Sequence, residues 1–577
     1  MKFTPFKRNR SRILPILAVY LSLGLNFTDN VAAGELATAN AIAPLEIRTE
    51  AEWQAFQRQL KIAKNIGVDA ISTDIWWGKV ENQSDDKFDW AYYDRLVAAI
   101  ESAGLKWAPI MSFHQCGTNV GDVCNQPIPP WIWQHFPGIQ PKYLQYKSEQ
   151  GNYSQEVVSL WADDLVMGEY REFMEAFEQR YADKAKMMEE INISTGTAGE
   201  LRYPSYNIHD NWKYPHRGFF QAYSEPAIKS FRGYVVKKYG SLGRVNRAWQ
   251  AKLSSFQQIN PPSNAEQFVQ GKDYEDTQYG RDFIDWYNQS LINHGKRMLA
   301  IADRSFDGAF AKIPFGMKIP GIHWQIEHPQ TPRIAEITTG LIRTSIKYQQ
   351  DSTARGYAPL IGVWNHLKSR NRKVILHFTA LEMSNGIDKE VNANSRAKDL
   401  VAWVANGAAS QGVPIKGENA LQENIQNEIA WQNIGDALKN LSYNGFSVLR
   451  LAEIADDAVA NRGYKNLIRQ YKSFPCILPQ LNIRSSHNGW QSIPMKCQQG
   501  VWIGDINLTN PTNPSFKFDV YGDWQENYGD TNQDKIPDAV GANIAIAELN
   551  GVIAQGSGRY QITFNPNKSR LPQNWRY

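Results

Sequence analysis

The chain has 577 residues, more than one average domain needs and enough for a large α/β barrel with a small appendage. Its 62 basic and 58 acidic side chains leave a formal charge of +4 with no long basic run, which argues against a nucleic-acid partner and for a neutral or small ligand. The 19 tryptophans and 26 tyrosines offer flat faces for sugar rings, although most must be core in a fold of this size.

In chain order, the N-terminus reads first as an address. Lys2, Lys7, Arg8, Arg10 and Arg12 precede the apolar run ILPILAVYLSLGL at 13–25, and NVAAG offers small residues for cleavage near Ala33. Residues 1–33 therefore read as a secretory signal peptide, its apolar part short of the roughly 20 residues a spanning helix needs. A retained anchor is the alternative. Export implies a secreted, extracellular protein with no membrane contact after cleavage, in a compartment where disulfides persist.

From 34 to 475 short apolar runs alternate with amphipathic stretches, the pattern of repeated βα units. The strand candidates are NAIAPLEI from 40, which is the weakest, VDAISTDIWW from 68, KWAPIMSFH from 106, EINIST from 190, FGMKIPGI from 315, KVILHFTA from 373, VPIKGENA from 413 and FSVLRL from 446. Together they predict an α/β fold, a (β/α)8 TIM barrel with long loops. Several runs end in a polar group: Asp74, His114, Lys318, Thr379, Glu418 and Arg450, with Glu200 shortly after another. In such a barrel all strand C-termini share one face, where catalytic groups collect. Each member alone could be a salt bridge or a helix cap; the set carries the inference.

After about 475 the helical period stops. Residues 476–577 show short alternating strands between Asn, Gly and Pro turns, which predicts a C-terminal all-β sandwich. Within it GDTNQDKIPDAVG spaces Asp530, Asn532, Asp534 and Asp538 suitably for calcium, with an Asx-rich turn an equally good reading. Of the four cysteines, Cys116 and Cys124 flank a glycine-rich loop that a bridge would pin, and Cys476 and Cys497 could form a second bridge.

Cleaving a glycosidic bond takes a proton donor for the leaving oxygen and a second carboxylate on the other face of the ring. Glu200 and Glu418 are the natural pair, since each follows a glycine and comes off a strand end, in GELRYPSY and GENAL. Asn419 could hydrogen-bond the base or the attacking water, and Lys318 would favour an ionised neighbour. The segments CGTNVGD at 116–122 and HFTALEM at 377–383 could close over substrate, the second carrying Thr379.

The ordered set DIWWGKVE, MSFHQCGTNVGD, GELRYPSY, KIPGIHW, FTALEM, GENAL and LRL resembles the β-amylases over about residues 40–475. These are inverting exo-hydrolases that release maltose from the non-reducing ends of α-1,4-glucans, so the implied substrates are starch, amylose, amylopectin and malto-oligosaccharides, with no nucleic acid. The resemblance makes Glu200 the general acid, Glu418 the general base and Thr379 its helper after cleavage. It assigns substrate binding to Asp74, His114 and Asp122 at the terminal glucose, subsite binding or support of the base to Lys318, His323 and Asn419, and sugar binding or orientation of Glu418 to Arg450. Bacterial members with the same cysteine pair carry a structural calcium ion, whose ligands map to Glu81, Asp85, Asp86, Glu169 and Glu172. No organic cofactor is implied, and a monomer is expected. The C-terminal region looks like a starch-binding module with Trp490, Trp502, Tyr521 and Trp524 as candidate platforms, Trp502 being assigned to the core instead. Three positions depart from the family pattern: Thr118, Thr197 and His377, the last replacing an inner-loop asparagine. Two alternatives stay open: a glucan binder on the same scaffold, and a barrel glycosidase for another glucan.

Overall fold

The computed structural model describes residues 37–117, 124–344, 350–388, 393–472, 480–498, 501–508, 515–520, 522–524, 527–529, 538–539, 544–545 and 558–564. The 1–33 leader, Thr118, Asp122, Cys476, Tyr521, Asp530, Asn532 and Asp534 lie outside the described residues.

Eight strands close a parallel barrel: β1 Thr38–Ile42, β2 Ala70–Trp76, β3 Lys106–Ser112, β4 Ile191–Ile193, β5 Phe315–Ile319, β6 Val374–Phe378, β7 Ile415–Glu418 and β8 Tyr443–Val448. Each overlaps an expected run; β1 spans Thr38–Ile42 and leaves residues 43–47 of its run outside the strand, and β8 begins at Tyr443 rather than Phe446. The weakest run is held from both sides, with Asn40 opposite Ala70 on β2 and Ser447 on β8, and this pairing closes the ring.

Strand alternation divides each strand between helix layer and barrel interior. Ile191 and Ile193 on β4, Leu376 and Phe378 on β6, and Phe446 and Val448 on β8 are buried in the shared hydrophobic core. The alternate positions, Asn192, His377, Lys416, Glu418 and Lys318, face the barrel axis and are polar. The helices are fixed by ordinary local chemistry. Glu50–Ile66 opens on a capping box, in which Glu52 N donates to Thr49 Oγ1 and Thr49 N donates to Glu52 Oε2 at 2.9 Å. Such caps contribute about 1 kcal/mol. The helix then buries Trp53, Phe56, Leu60 and Ala63, one face at helical spacing.

Two antiparallel hairpins decorate the barrel, Tyr146–Lys147 with Tyr153–Ser154, and Asn385–Asp388 with Ala393–Arg396. The C-terminal region forms two antiparallel sheets, one built around Asn482–Ser485 and Ser515–Asp519 and the other around Val501–Leu508 and Gly558–Phe564. Cys116 and Cys124 are bridged with Cα atoms 5.7 Å apart, and Cys497 is disulfide-bonded too. Among the described residues no helix is long and apolar enough to cross a membrane.

Candidate active site

Glu200 stands on the connection after β4. The chain from Ser194 to Glu200 turns through left-handed backbone at Ala198 (φ 54°) and Gly199 (φ 76°). A side chain at 199 would also bring its Cβ 3.3 Å from His114 Cε1, so glycine serves twice there. The loop docks on β5, where Leu201 N donates to Lys318 O at 2.8 Å. Glu200 is buried, and Arg202 Nε donates to its Oε2 at 2.8 Å. Arg202 is buried under Tyr206, with its guanidinium 4.0 Å from the ring centroid. Its Nη1 donates to Asn207 Oδ1 at 2.8 Å, and Asn207 Nδ2 in turn donates to Glu156 at 2.7 Å and to Thr197 Oγ1 at 3.1 Å. Thr197 therefore supplies an acceptor in the chain that supports the acid. Of the two tyrosines beside it, Tyr206 faces the carboxylate, whereas Tyr203 stacks on Tyr287 at 3.9 Å and belongs to the core.

Glu418 ends β7, buried, and its Oε1 accepts from Lys318 Nζ. Burial alone would push the Lys318 ammonium down, but the attraction of Glu418 and then Glu200 holds it above the usual lysine range. One cation thus lies in the field of both carboxylates. Thr379 follows β6 and is buried against Gly321, and Leu381 N donates to Glu418 O at 3.3 Å, so the segment after β6 lies along the base strand.

Asn419 is fully buried, and its amide is occupied by protein: Oδ1 accepts from Leu449 N at 2.8 Å and Nδ2 donates to Leu421 O at 3.1 Å. It braces the turn after Glu418 to the end of β8. Arg450, just past β8, donates to Leu449 O at 2.6 Å. Two carboxylates that carried no assignment from the sequence complete this corner. Glu382 accepts from the backbone N–H groups of Ala420 and Leu421 at 3.1 Å, fixing the segment after the base. Glu453 meets Asn419, and burial pushes it up to about 8 against the opposing pull of Asn419 and Arg450. Glu382 sits inside the FTALEM motif, which was the only signal for either.

The other expected contacts ring the same mouth. Asp74 accepts from Ser112 Oγ at 2.7 Å, and His114 Nδ1 lies 2.9 Å from Ser194 Oγ. Burial, then Arg202 and Lys318, pull His114 down to about 3, which leaves a neutral ring able to meet a sugar hydroxyl. His323 is likewise lowered to about 4 by burial, with Ser395 Oγ 2.8 Å from its Nδ1. A wall of aromatic rings adjoins the acid: Trp324 lies 5.4 Å from Tyr206, 5.5 Å from Trp212 and 5.8 Å from Tyr214. His377 departs from its expected place. It is not an inner-loop residue but a β6 residue facing the barrel interior, because the strand runs on through Phe378 before the chain turns out.

A second cluster lies on the barrel flank. Oxygens of Asp85, Asp86 and Glu172 come within 4.8 Å of one another, as do ligand atoms of Asp85, Glu169 and His135. Asp85 Oδ1 is buried without a hydrogen-bond partner. Burial and then Asp85 raise Glu169 to about 8, and burial raises Glu81 to about 7. Hard carboxylate oxygens crowded this way fit a calcium-sized cation. Glu81 adjoins the cluster: its oxygens accept from Trp77 Nε1 and Asp86 N, both at 2.7 Å, and its charge adds to the rise of Glu169. His135 is the member the sequence did not announce. In the C-terminal region Trp502 is buried, whereas Trp490 and Trp524 lie 5.8 Å apart with Trp524 exposed.

Residues 42–473 match the model of glycosyl hydrolase family 14. The chain is 38% identical over 436 residues to a thermophilic beta-amylase of Thermoanaerobacterium thermosulfurigenes, covering 74% of each. It is 36% identical over 466 residues to a beta-amylase of Cytobacillus firmus, covering 80% of this chain and 92% of that one. The crystal structure of the catalytic domain of beta-amylase from Paenibacillus polymyxa matches with a TM-score of 0.67 at 36% identity, over 76% of this chain and 99% of that one. With the barrel, the paired glutamates and these relatives in agreement, the chain belongs to glycosyl hydrolase family 14.

Proposed function

We propose that the chain acts as a secreted β-amylase, hydrolysing α-1,4-glucosidic bonds of starch and malto-oligosaccharides from non-reducing ends and releasing β-maltose. The observation that supports this best is the pair of buried carboxylates, Glu200 and Glu418, on either side of Lys318 at the C-terminal mouth of the barrel. Arg202 occupies Oε2 of Glu200, so the acid proton belongs on Oε1, from which it passes to the leaving oxygen. Lys318 occupies Oε1 of Glu418, which leaves Oε2 to take a proton from water as that water attacks the anomeric carbon from the opposite face. Asp74, His114 and Asp122 hold the terminal glucose. His323 and the Tyr206, Trp212 and Trp324 wall carry the chain beyond the scissile bond, and Thr379 steadies the spent base. Proton NMR during starch digestion should show β-maltose first, mutarotating later; initial α-maltose would overturn inversion.

The flank cluster is the proposed calcium site, held by Glu81, Asp85, Asp86, Glu169 and Glu172, and its role is structural. Groups raised above their ordinary values cost stability as pH rises, because the unfolded chain releases those protons first. The ion-free protein should therefore weaken between the ordinary carboxylate range and about 8, the value to which Glu169 is raised. Calcium at 100 times its Kd adds about 2.7 kcal/mol. Its effect on Tm should be larger at neutral pH than at acid pH, where protons compete. Equal Tm with calcium and with chelator at neutral pH would remove the site. The exposed Trp524 with Trp490 is the proposed glucan platform of the C-terminal module.

A further inference from the structure

Beneath Glu418 and Thr379 the barrel holds a charged cluster that the reaction as read above does not use, where branched apolar side chains are the rule. Glu190 is fully buried, one residue before β4. Its Oε2 accepts from Lys416 Nζ of β7 at 2.8 Å. Its Oε1 accepts from Asn192 Nδ2 at 3.1 Å and lies 2.8 Å from His377 Nε2 of β6, the latter without the alignment of a full hydrogen bond. Lys416 also binds Glu189, whose other oxygen accepts from Asn40 Nδ2 of β1 at 2.7 Å. The space is filled: a Cβ on Gly316 of β5 would come 2.0 Å from Asn192 Oδ1 and 2.9 Å from His377 Nε2.

The placement of two members gives the cluster a bearing on the chemistry. Lys416 lies two residues before Glu418 on the same face of β7, and His377 lies near the end of β6, two residues before Thr379 on the segment that follows it. Lys416 and His377 are also direct partners in the β6–β7 register. On its other side β7 is held less regularly, since its pairing with β8 shifts register between Ile415 and Gly417. Glu190 meets both Lys416 and His377.

We propose that Glu190 is a positioning residue for the reaction: by binding Lys416 and His377 together it holds the ends of β7 and β6, and with them Glu418 and Thr379, at a fixed height. Burial would push the Glu190 carboxyl up, but Lys416 and His377 outweigh it and hold it well below the usual range, so the tie stays charged. The proposal rests on Glu418 being the base.

The test is Glu190→Gln in the full chain, an isosteric change that removes one charge. We expect kcat on maltopentaose to fall about 10- to 100-fold with KM little changed, as for a misplaced reacting group. With Lys416 left to Glu189 alone, the added positive charge beneath Glu418 moves the acid limb of the pH profile downward. A second variant, Glu190→Leu with Lys416→Met and Glu189→Gln, exchanges the buried charges for apolar packing while the glutamine can still accept from Asn40, and it should melt near the unmodified protein. It should keep the kcat deficit. A purely structural cluster would recover kcat with stability and would leave the pH limb in place, and either result overturns the proposal. Glu418→Gln separates the two readings. If it is inactive while Glu190→Gln is fully active, this inference alone fails; if Glu418→Gln is active, the base assignment fails first.

Discussion

Glu200→Gln and Glu418→Gln should each lower kcat on soluble starch on the order of 10³- to 10⁴-fold, the upper part of what acid or base catalysis contributes. Glutamine keeps the volume at both positions. At 200 its carbonyl can still accept from Arg202, and at 418 it can still meet Lys318, so KM should change little. The roles are separated by the leaving group. With α-maltosyl fluoride no proton is needed on the departing atom, so Glu200→Gln should regain most of its rate while Glu418→Gln stays inactive. The reverse pattern would exchange the assignments. Recovery in neither would mean that both carboxylates act on the nucleophile side or on binding.

How much of this was legible before the fold depended on the kind of signal. All eight barrel strands overlapped the expected runs, because apolar runs bounded by turns report burial directly. Even the weak first run was a strand, since its pairing with β2 and β8 supplies what its composition does not. The strand-end residues were legible for a topological reason: a parallel barrel brings every C-terminus to one mouth, so Glu200, Glu418 and Lys318 met without any distance being known. His377 was misplaced by one structural step, as a motif does not say where a strand ends and its loop begins.

What the sequence concealed were groups that act through others. Arg202 and Tyr206 were visible beside the acid, yet nothing in their spacing separates Tyr206, over the guanidinium, from Tyr203, buried on Tyr287. Glu382 and Glu453 hold the turn after the base from distant segments, and their meaning exists only in the assembled corner. The cluster of Glu190, Lys416 and His377 is the strongest instance. Each residue sits inside a run that reads as a strand, and alternation turns their side chains toward one another across the axis.

Lys318→Met should have the second-largest effect, and its signature is a displaced pH profile. The Lys318 ammonium donates to Glu418, and Glu418 and then Glu200 hold it above the ordinary lysine range. Methionine keeps the unbranched stem, one atom shorter, and removes the charge. A buried carboxylate without its cation binds a proton more readily, so the base becomes available only at higher pH. The acid limb of kcat/KM should move up by about 1 to 3 pH units, the range that a close ion pair commands. The fold loses stability as well, about 3 kcal/mol for an uncompensated buried partner. That loss should grow as pH rises, because the folded carboxyl then holds a proton that the unfolded chain has released. Lys318→Arg restores charge without the compact geometry and should recover the limb more fully than kcat. An acid limb that stays in place in Lys318→Met, at unchanged stability, would mean that Lys318 does not govern the ionisation of the base, and that the short contact between Nζ and Glu418 is incidental to the reaction.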